Sequence, residues 1–150
     1  MVAKLTLGPV LFHWPADGWR DFYARIADET AIDSVCIGEV VCAKRAPIYA
    51  PVMDQVVERL EAAGKEVVHS TLALVMDGAD LEGVRALARS DRLVEANDVS
   101  AVALLAGRAH AIGPFVNLYN EATLAVLARQ GAVRAALPVE LPLASIAALA

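Results

Sequence analysis

Aromatic side chains are scarce in this sequence: two Trp, three Tyr and three Phe, or 5% of 150 residues. A core built from it must be mostly aliphatic, which its 57% hydrophobic content supports. Cysteine is scarcer still, with Cys36 and Cys42 alone. Their C-x5-C spacing is neither a C-x-x-C redox motif nor a zinc pair. Two cysteines cannot staple a disulfide scaffold, and Cys36 lies in a short apolar run, which suits a reducing compartment. Charge of positive sign is thin as well: thirteen Lys and Arg are scattered along a chain of net charge −5. No basic patch marks a nucleic-acid surface, so no nucleic-acid partner is expected. Long apolar runs are missing too, because Arg134, Pro138, Glu140 and Pro142 break the tail from Gly131 to Ala150. No transmembrane segment follows from it. Met1 to Trp14 lacks the apolar core and cleavage site of a leader. The expectation is a soluble, cytoplasmic protein.

Several catalytic signatures are also missing. There is no Gly-x-Ser-x-Gly, no Walker loop and no Gly-x-Gly-x-x-Gly, which sets aside three large enzyme classes. No two histidines have metal-ligand spacing, so a mononuclear zinc site is not expected. His69 reads as a hydrogen-bonded core residue, and His13 and His110 read as surface or interface residues.

Alternation of strand and helix is what the chain does contain. Strands are predicted at Lys4–Gly8, Ser34–Gly38, Glu66–Leu72, Leu93–Ala96, His110–Val116 and Ala132–Val139. Between them fall helices capped by Asp17, opened by Pro51 at its first position, started at Asp80, capped by Asn97 or Asp98, and capped by Asn120. In the fourth helix Val99, Val102, Leu105 and Ala106 are expected to face inward. In the fifth, Leu124, Val126 and Leu127 form the apolar set, and a last helix runs from Leu143 to Ala150. Six βα alternations imply parallel strands joined by right-handed crossovers. An open doubly wound sheet or part of a (β/α)8 barrel would satisfy that pattern. At 150 residues the chain is one α/β domain, read as the N-terminal portion of a TIM-like barrel of about six βα units.

In such folds the chemistry collects at the carboxyl ends of the strands. The stretch Ser34–Arg45 is the richest of these ends, with Glu39, Cys42, Lys44 and Arg45 following a buried strand. The other ends supply Ser70 and Thr71, Glu95 and Asn97, Asn117, Tyr119 and Asn120, and Glu140. Asn97 or Asp98, and Asn120, read as helix caps before ligand contacts. Ser70 and Thr71 read equally as satisfied loop hydroxyls or as ligand contacts. Glu39, Glu95 and Glu140 on one rim would repel one another and need a cation, a partner or a shared proton. Cys42 reads either as a small packing residue or as a thiolate favoured by Lys44 and Arg45, and Cys36 as core. No residue is assigned a catalytic role.

Six segments carry a resemblance over the whole chain. They are Leu7-Gly8-Pro9-Val10-Leu11 with Trp14-Pro15, Gly38-Glu39-Val40-Val41-Cys42-Ala43-Lys44-Arg45, Ser70-Thr71-Leu72-Ala73-Leu74-Val75, Glu95-Ala96-Asn97-Asp98, Asn117-Leu118-Tyr119-Asn120 and Leu137-Pro138-Val139-Glu140-Leu141. In that order they resemble the collagenase-like peptidase family U-32, in its branch devoted to anaerobic ubiquinone biosynthesis. The resemblance implies oxygen-independent ring hydroxylation with a paralogous UbiU-like partner in a heterodimer. It implies a quinone precursor as substrate and prephenate as oxygen donor. It also implies a 4Fe–4S cluster on four cysteines, the first matching Cys42. The other three would lie beyond Ala150, so this chain alone is not expected to hold the cluster. Other readings within the family are RNA pyrimidine hydroxylation and a collagenase-like peptidase. No protease nucleophile with its base is evident. A non-catalytic, partner-binding subunit is the remaining alternative.

Overall fold

A computed structural model describes residues 3–149. Six strands form one parallel sheet in sequential order, namely β1 (Thr6–Leu7), β2 (Ser34–Ile37), β3 (Glu66–Ser70), β4 (Leu93–Ala96), β5 (His110–Ile112) and β6 (Ala132–Ala135). The helices between and after them are α1 (Ala16–Glu29), α2 (Ala46–Ala62), α3 (Gly78–Arg89), α4 (Val99–Leu104), α5 (Glu121–Arg129) and α6 (Leu143–Leu149). Ala150, where the sequence places the end of the last helix, lies outside the described residues, as do Met1 and Val2.

The sheet is curled into a half-barrel. One side chain makes the curl plain. Arg134 on β6 donates to Ser34 Oγ on β2 at 3.3 Å and to Glu66 on β3 at 2.9 Å. In a flat sheet β2 and β6 would lie about 19 Å apart at the usual strand spacing, beyond the reach of an arginine. Arg134, Ser34 and Glu66 therefore share a concave inner face, and by the two-residue alternation Cys36, Val68, Ser70 and Glu95 do as well. Arg134 reaches this face next to an irregularity in the β5–β6 pairing, where Ala132 pairs with His110 and Arg134 with Ala111. Val133 is the extra residue.

The outer face is covered by helices in two patches of different chemistry. Over β2, Val35 and Ile37 pack beneath α1 and α2 with Trp19, Tyr23, Tyr49 and Leu60. Trp19 stacks on Tyr49 at 5.1 Å between centroids and meets Tyr23 edge-on at 4.7 Å. The few aromatics are thus concentrated in one corner. Over β4 and β5 the second patch is aliphatic, with Val84, Val94, Val102, Leu105, Ile112 and Leu127.

Several element ends differ from the sequence-based expectation. Helix α1 opens after Pro15 with Asp17 inside its first turn, so Asp17 is not the cap. Helix α2 begins at Ala46 and carries Pro51 in its interior. Pro47 fits the first turn, where an N–H has no helical partner, and burial of Tyr49 on Trp19 anchors the added turn. Pro51 forfeits one backbone bond there, to Pro47. Helix α3 is capped by Asp77, whose carboxylate accepts from Ala79 N and Asp80 N, both at 2.9 Å, so Asp80 is not its start. In α4, Val99 and Ala106 are exposed and Ala101 takes the inward place beside Val102 and Leu105. Val126 is likewise exposed on α5. Strand β5 ends at Ile112, because Pro114 cannot donate to a ladder and opens a 3-10 turn over Pro114–Val116. Strand β6 ends at Ala135, short of Val139. His110, expected at a surface, is fully buried, with Nδ1 2.8 Å from Arg108 O and Nε2 lacking a partner. Among the described residues no helix is long and apolar enough to cross a membrane.

Candidate functional site

The carboxyl ends of the strands hold two side-chain clusters and an exposed rim pair. The deeper cluster lies on the inner face. Glu95 is buried and has no cation bound to it. Its Oε2 accepts from Ser70 Oγ at 2.7 Å and Asn97 Nδ2 at 3.0 Å, and its Oε1 faces Cys36 Sγ at 3.7 Å. Asn97 also donates from Nδ2 to Thr71 O at 3.2 Å, and its backbone N–H donates to Thr71 Oγ1 at 3.0 Å. Thr71 N closes the loop on Glu95 O at 3.0 Å. Ser70, Thr71, Glu95 and Asn97 are therefore one hydrogen-bonded unit joining β3 to β4, and Asp98 alone of the Asn97-Asp98 pair caps α4. The unit leaves no spare space at its edge. A Cβ on Gly113 would sit 1.9 Å from Asn97 Oδ1, the one polar atom of Asn97 without a partner.

Cys36 is core, as the sequence suggested, packed with Val68 and Ala111, and it also borders this unit through Glu95. Burial first, and then the Glu95 carboxylate, push its thiol up to about 12. It stays protonated at any physiological pH, so it is neither nucleophile nor metal ligand as it stands. Cys42, by contrast, is exposed. Iodoacetamide at pH 8 is expected to label one thiol per folded chain, at Cys42, and two after denaturation. Mass spectrometry of the labelled peptides checks this, and rapid labelling of Cys36 in the folded protein would contradict the buried pair.

The second cluster is the loop after β2. Glu39 turns back on its own loop. Its Oε1 accepts from Val41 N at 2.8 Å, Cys42 N at 2.9 Å and Arg45 Nη2 at 2.7 Å. Arg45 Nη1 also donates to Leu11 O at 3.2 Å, tying in the segment before α1. Gly38, at φ +130°, makes the turn possible, since a Cβ there would sit 2.8 Å from Ser70 O. Glu39 and Arg45 thus spend their charges on each other and fix the backbone that presents Cys42. Lys44 is exposed.

Beyond these clusters, Asn120 caps α5 through Thr123 N at 2.9 Å, and Asn117 takes the left-handed conformation at φ 60° that turns the chain. Buried Leu118 anchors that turn. Tyr119 donates to Glu140, an exposed bond that raises the phenol's pKa and lowers the carboxylate's. The three rim carboxylates do not converge. Glu39 is held by Arg45, Glu95 by neutral donors and Glu140 by Tyr119, so the mutual repulsion expected of them is relieved by separate partners.

His69 is buried, as the sequence suggested, but its neighbour Arg92 was missed. His69 faces outward beneath α2 and α3, with Arg92 Nη1 at 3.5 and 3.4 Å from its two ring nitrogens. Burial first, and then the Arg92 charge, depress its pKa to about 4. A depressed folded pKa means that the unfolded chain takes up the proton first as pH falls. Stability present above pH about 6.5 should therefore be lost on acidification towards pH 4, on the order of 2 kcal/mol with solvent access allowed for. Urea titrations at pH 7 and pH 4.5 should show that loss, and His69→Phe should remove most of the difference.

Among the described residues no group of three or more His, Cys, Asp and Glu could hold a metal ion. Cys42 is exposed and Cys36 is turned inward towards Glu95, so the two sulfurs do not share a site. Comparison with protein-family models found no match for the chain, and no solved structure matches it. The site is therefore read from its own geometry.

Proposed function

We propose that the chain forms the first six βα units of a TIM-type barrel of the U-32 family. We read it as a UbiV-like component of oxygen-independent ubiquinone hydroxylation, working with a UbiU-like partner. One observation carries this reading. The six segments that resemble the family, far apart in sequence, meet in hydrogen-bonded groups at the carboxyl ends of the strands. Leu11 meets Arg45, which also holds Glu39; Ser70-Thr71 meets Glu95-Asn97, and Tyr119 meets Glu140. Chemistry at that end of a parallel sheet is the rule for such folds.

Within this reading Cys42 would be one ligand of a 4Fe–4S cluster, with three thiolates supplied from outside these 150 residues. When bound, the cluster would supply one-electron transfer. The chain's own contribution is positional. Glu39 and Arg45 hold the Cys42 backbone still, which lowers the ordering cost of binding a ligand there. The Ser70–Glu95–Asn97 unit places a buried, hydrogen-bonded carboxylate below the rim. A quinone precursor and a donor such as prephenate would meet above it, with Lys44 free at the surface to meet a carboxylate.

Anaerobic purification of the complete gene product, with iron and sulfide measured in wild type and Cys42→Ala, tests the reading. Four iron and four sulfide in the wild type, lost in Cys42→Ala, are expected. A colourless wild-type protein would sink it. The partner-subunit alternative draws on the exposed Val133, Val139 and Leu143 near β6. Full quinone synthesis with Cys42→Ala in the cell would favour that alternative.

A further inference from the structure

The helices cover β3 without packing tightly against each other. Between α2 and α3 lies a cleft of about 650 Å3, within the size range of small-molecule sites. Its walls carry Ala46, Ala50 and Met53 from α2 and Ala79, Gly83 and Leu87 from α3. Small side chains stand where larger ones would close the layer. A Cβ on Gly83 would meet nothing within 4 Å. Arg92 lies at one end, and Gly38, Glu39, Ser70 and Thr71 at the rim end.

Small residues alone would not make a site, but His69 lines the cleft too. The residue is 6% exposed and its ring is neutral at physiological pH, so it carries one N–H and one lone pair. Its neighbour is Arg92 Nη1, which can only donate. The imidazole lone pair can accept from it; among the described residues no acceptor faces the imidazole N–H. A nearly buried donor is unfavourable without a good acceptor, and a ligand oxygen in the cleft would supply one. An apolar body would cover the alanine and leucine walls.

We propose that this cleft binds an amphiphile with an apolar body and one neutral hydroxyl or carbonyl oxygen, the oxygen accepting from the His69 N–H. That the amphiphile is a phenol or quinone rests on the functional reading above. The apolar part would then lie between α2 and α3, with the ring on His69.

Calorimetric titration of the protein with 2-pentylphenol tests this. Saturable binding is expected. Gly83→Leu fills the cleft from a helix position that tolerates the change, since leucine is a better helix former than glycine. It should weaken binding at least tenfold with Tm unchanged or raised. His69→Phe should weaken the phenol by about tenfold, yet leave pentylbenzene, which lacks the oxygen, as it was. Absence of phenol binding to the wild type, or unchanged affinity in Gly83→Leu, would overturn the proposal. So would a Gly83→Leu protein that binds the phenol normally but no longer pairs with a UbiU-like chain, since the cleft would then be a protein interface. None of these outcomes touches the Cys42-dependent iron measurement, and loss of that iron result would leave the cleft standing.

Discussion

Glu39→Ala is expected to cost about 3 kcal/mol and to lower Tm by on the order of 10 °C. The size follows from what one oxygen does. Glu39 Oε1 serves Val41 N, Cys42 N and Arg45 Nη2 together. The two side chains are 6% and 17% exposed, so solvent cannot replace the lost carboxylate on Arg45. Arg45 Nε is already buried without a partner, which leaves the guanidinium little tolerance for a second loss. Breaking a largely buried pair from one side costs far more than the pair itself is worth, because a charge stays behind unpaired.

The same substitution should loosen the loop that presents Cys42. Its iodoacetamide labelling rate should change at fixed pH, whereas Lys44→Ala should leave both rate and Tm near wild type. Glu39→Gln keeps an acceptor for the two backbone N–H groups and loses the charge, so it should fall between. Thermal melts of the three variants decide the matter. A Glu39→Ala protein melting within 2 °C of wild type would mean that the loop holds itself together by other contacts.

The alternation of six strands with helices was legible because the period of the apolar pattern survives without tertiary information. A doubly wound sheet and a barrel both fit that pattern, so the sequential strand order comes from the structure. The expected strands Ser34–Gly38 and Leu93–Ala96 both form, the first ending one residue earlier at Ile37. The errors fall where tertiary contact outweighs local signal. Pro51 looks like a helix start until Tyr49 is seen stacked on Trp19, which draws the helix five residues back to Ala46 and includes Pro47. His110 looks like a surface residue because nothing in its neighbours announces that β5 is central, with β4 and β6 on its two sides. The site was half legible. Glu95, Ser70 and Asn97 could be named as strand-end groups, but not that they bind one another. That depends on the register Ser70↔Glu95, which no single strand encodes. Cys36 beside Glu95 depends in addition on curvature, since β3 lies between their strands. Arg134 is the same case on a larger scale. An arginine in a short edge strand reads as solvent-facing, and only a curled sheet brings it to Ser34 and Glu66.

Glu95→Ala should destabilise the fold by about 3 kcal/mol, and Glu95→Gln by about 1. Alanine removes the acceptor of Ser70 Oγ and Asn97 Nδ2 inside the half-barrel, leaving the Ser70 hydroxyl without its bond and Asn97 Nδ2 with Thr71 O alone. Asn97 cannot move to compensate, because Gly113 already lies against its other amide atom. Glutamine keeps one oxygen for both donors and turns its amide towards Cys36. Both variants remove the negative charge that helps hold the Cys36 thiol protonated, so its pKa should fall from about 12. The burial contribution persists in Glu95→Gln, so the fall there should be partial. Urea titration gives the stabilities, and the pH dependence of Cys36 labelling in a Cys42→Ser background gives the thiol. If Glu95→Gln shifts the labelling profile to lower pH while costing little stability, the carboxylate acts on Cys36 by its charge. An unshifted profile would mean that desolvation alone holds the thiol, and that Glu95 matters to this interior only as an acceptor for Ser70 and Asn97.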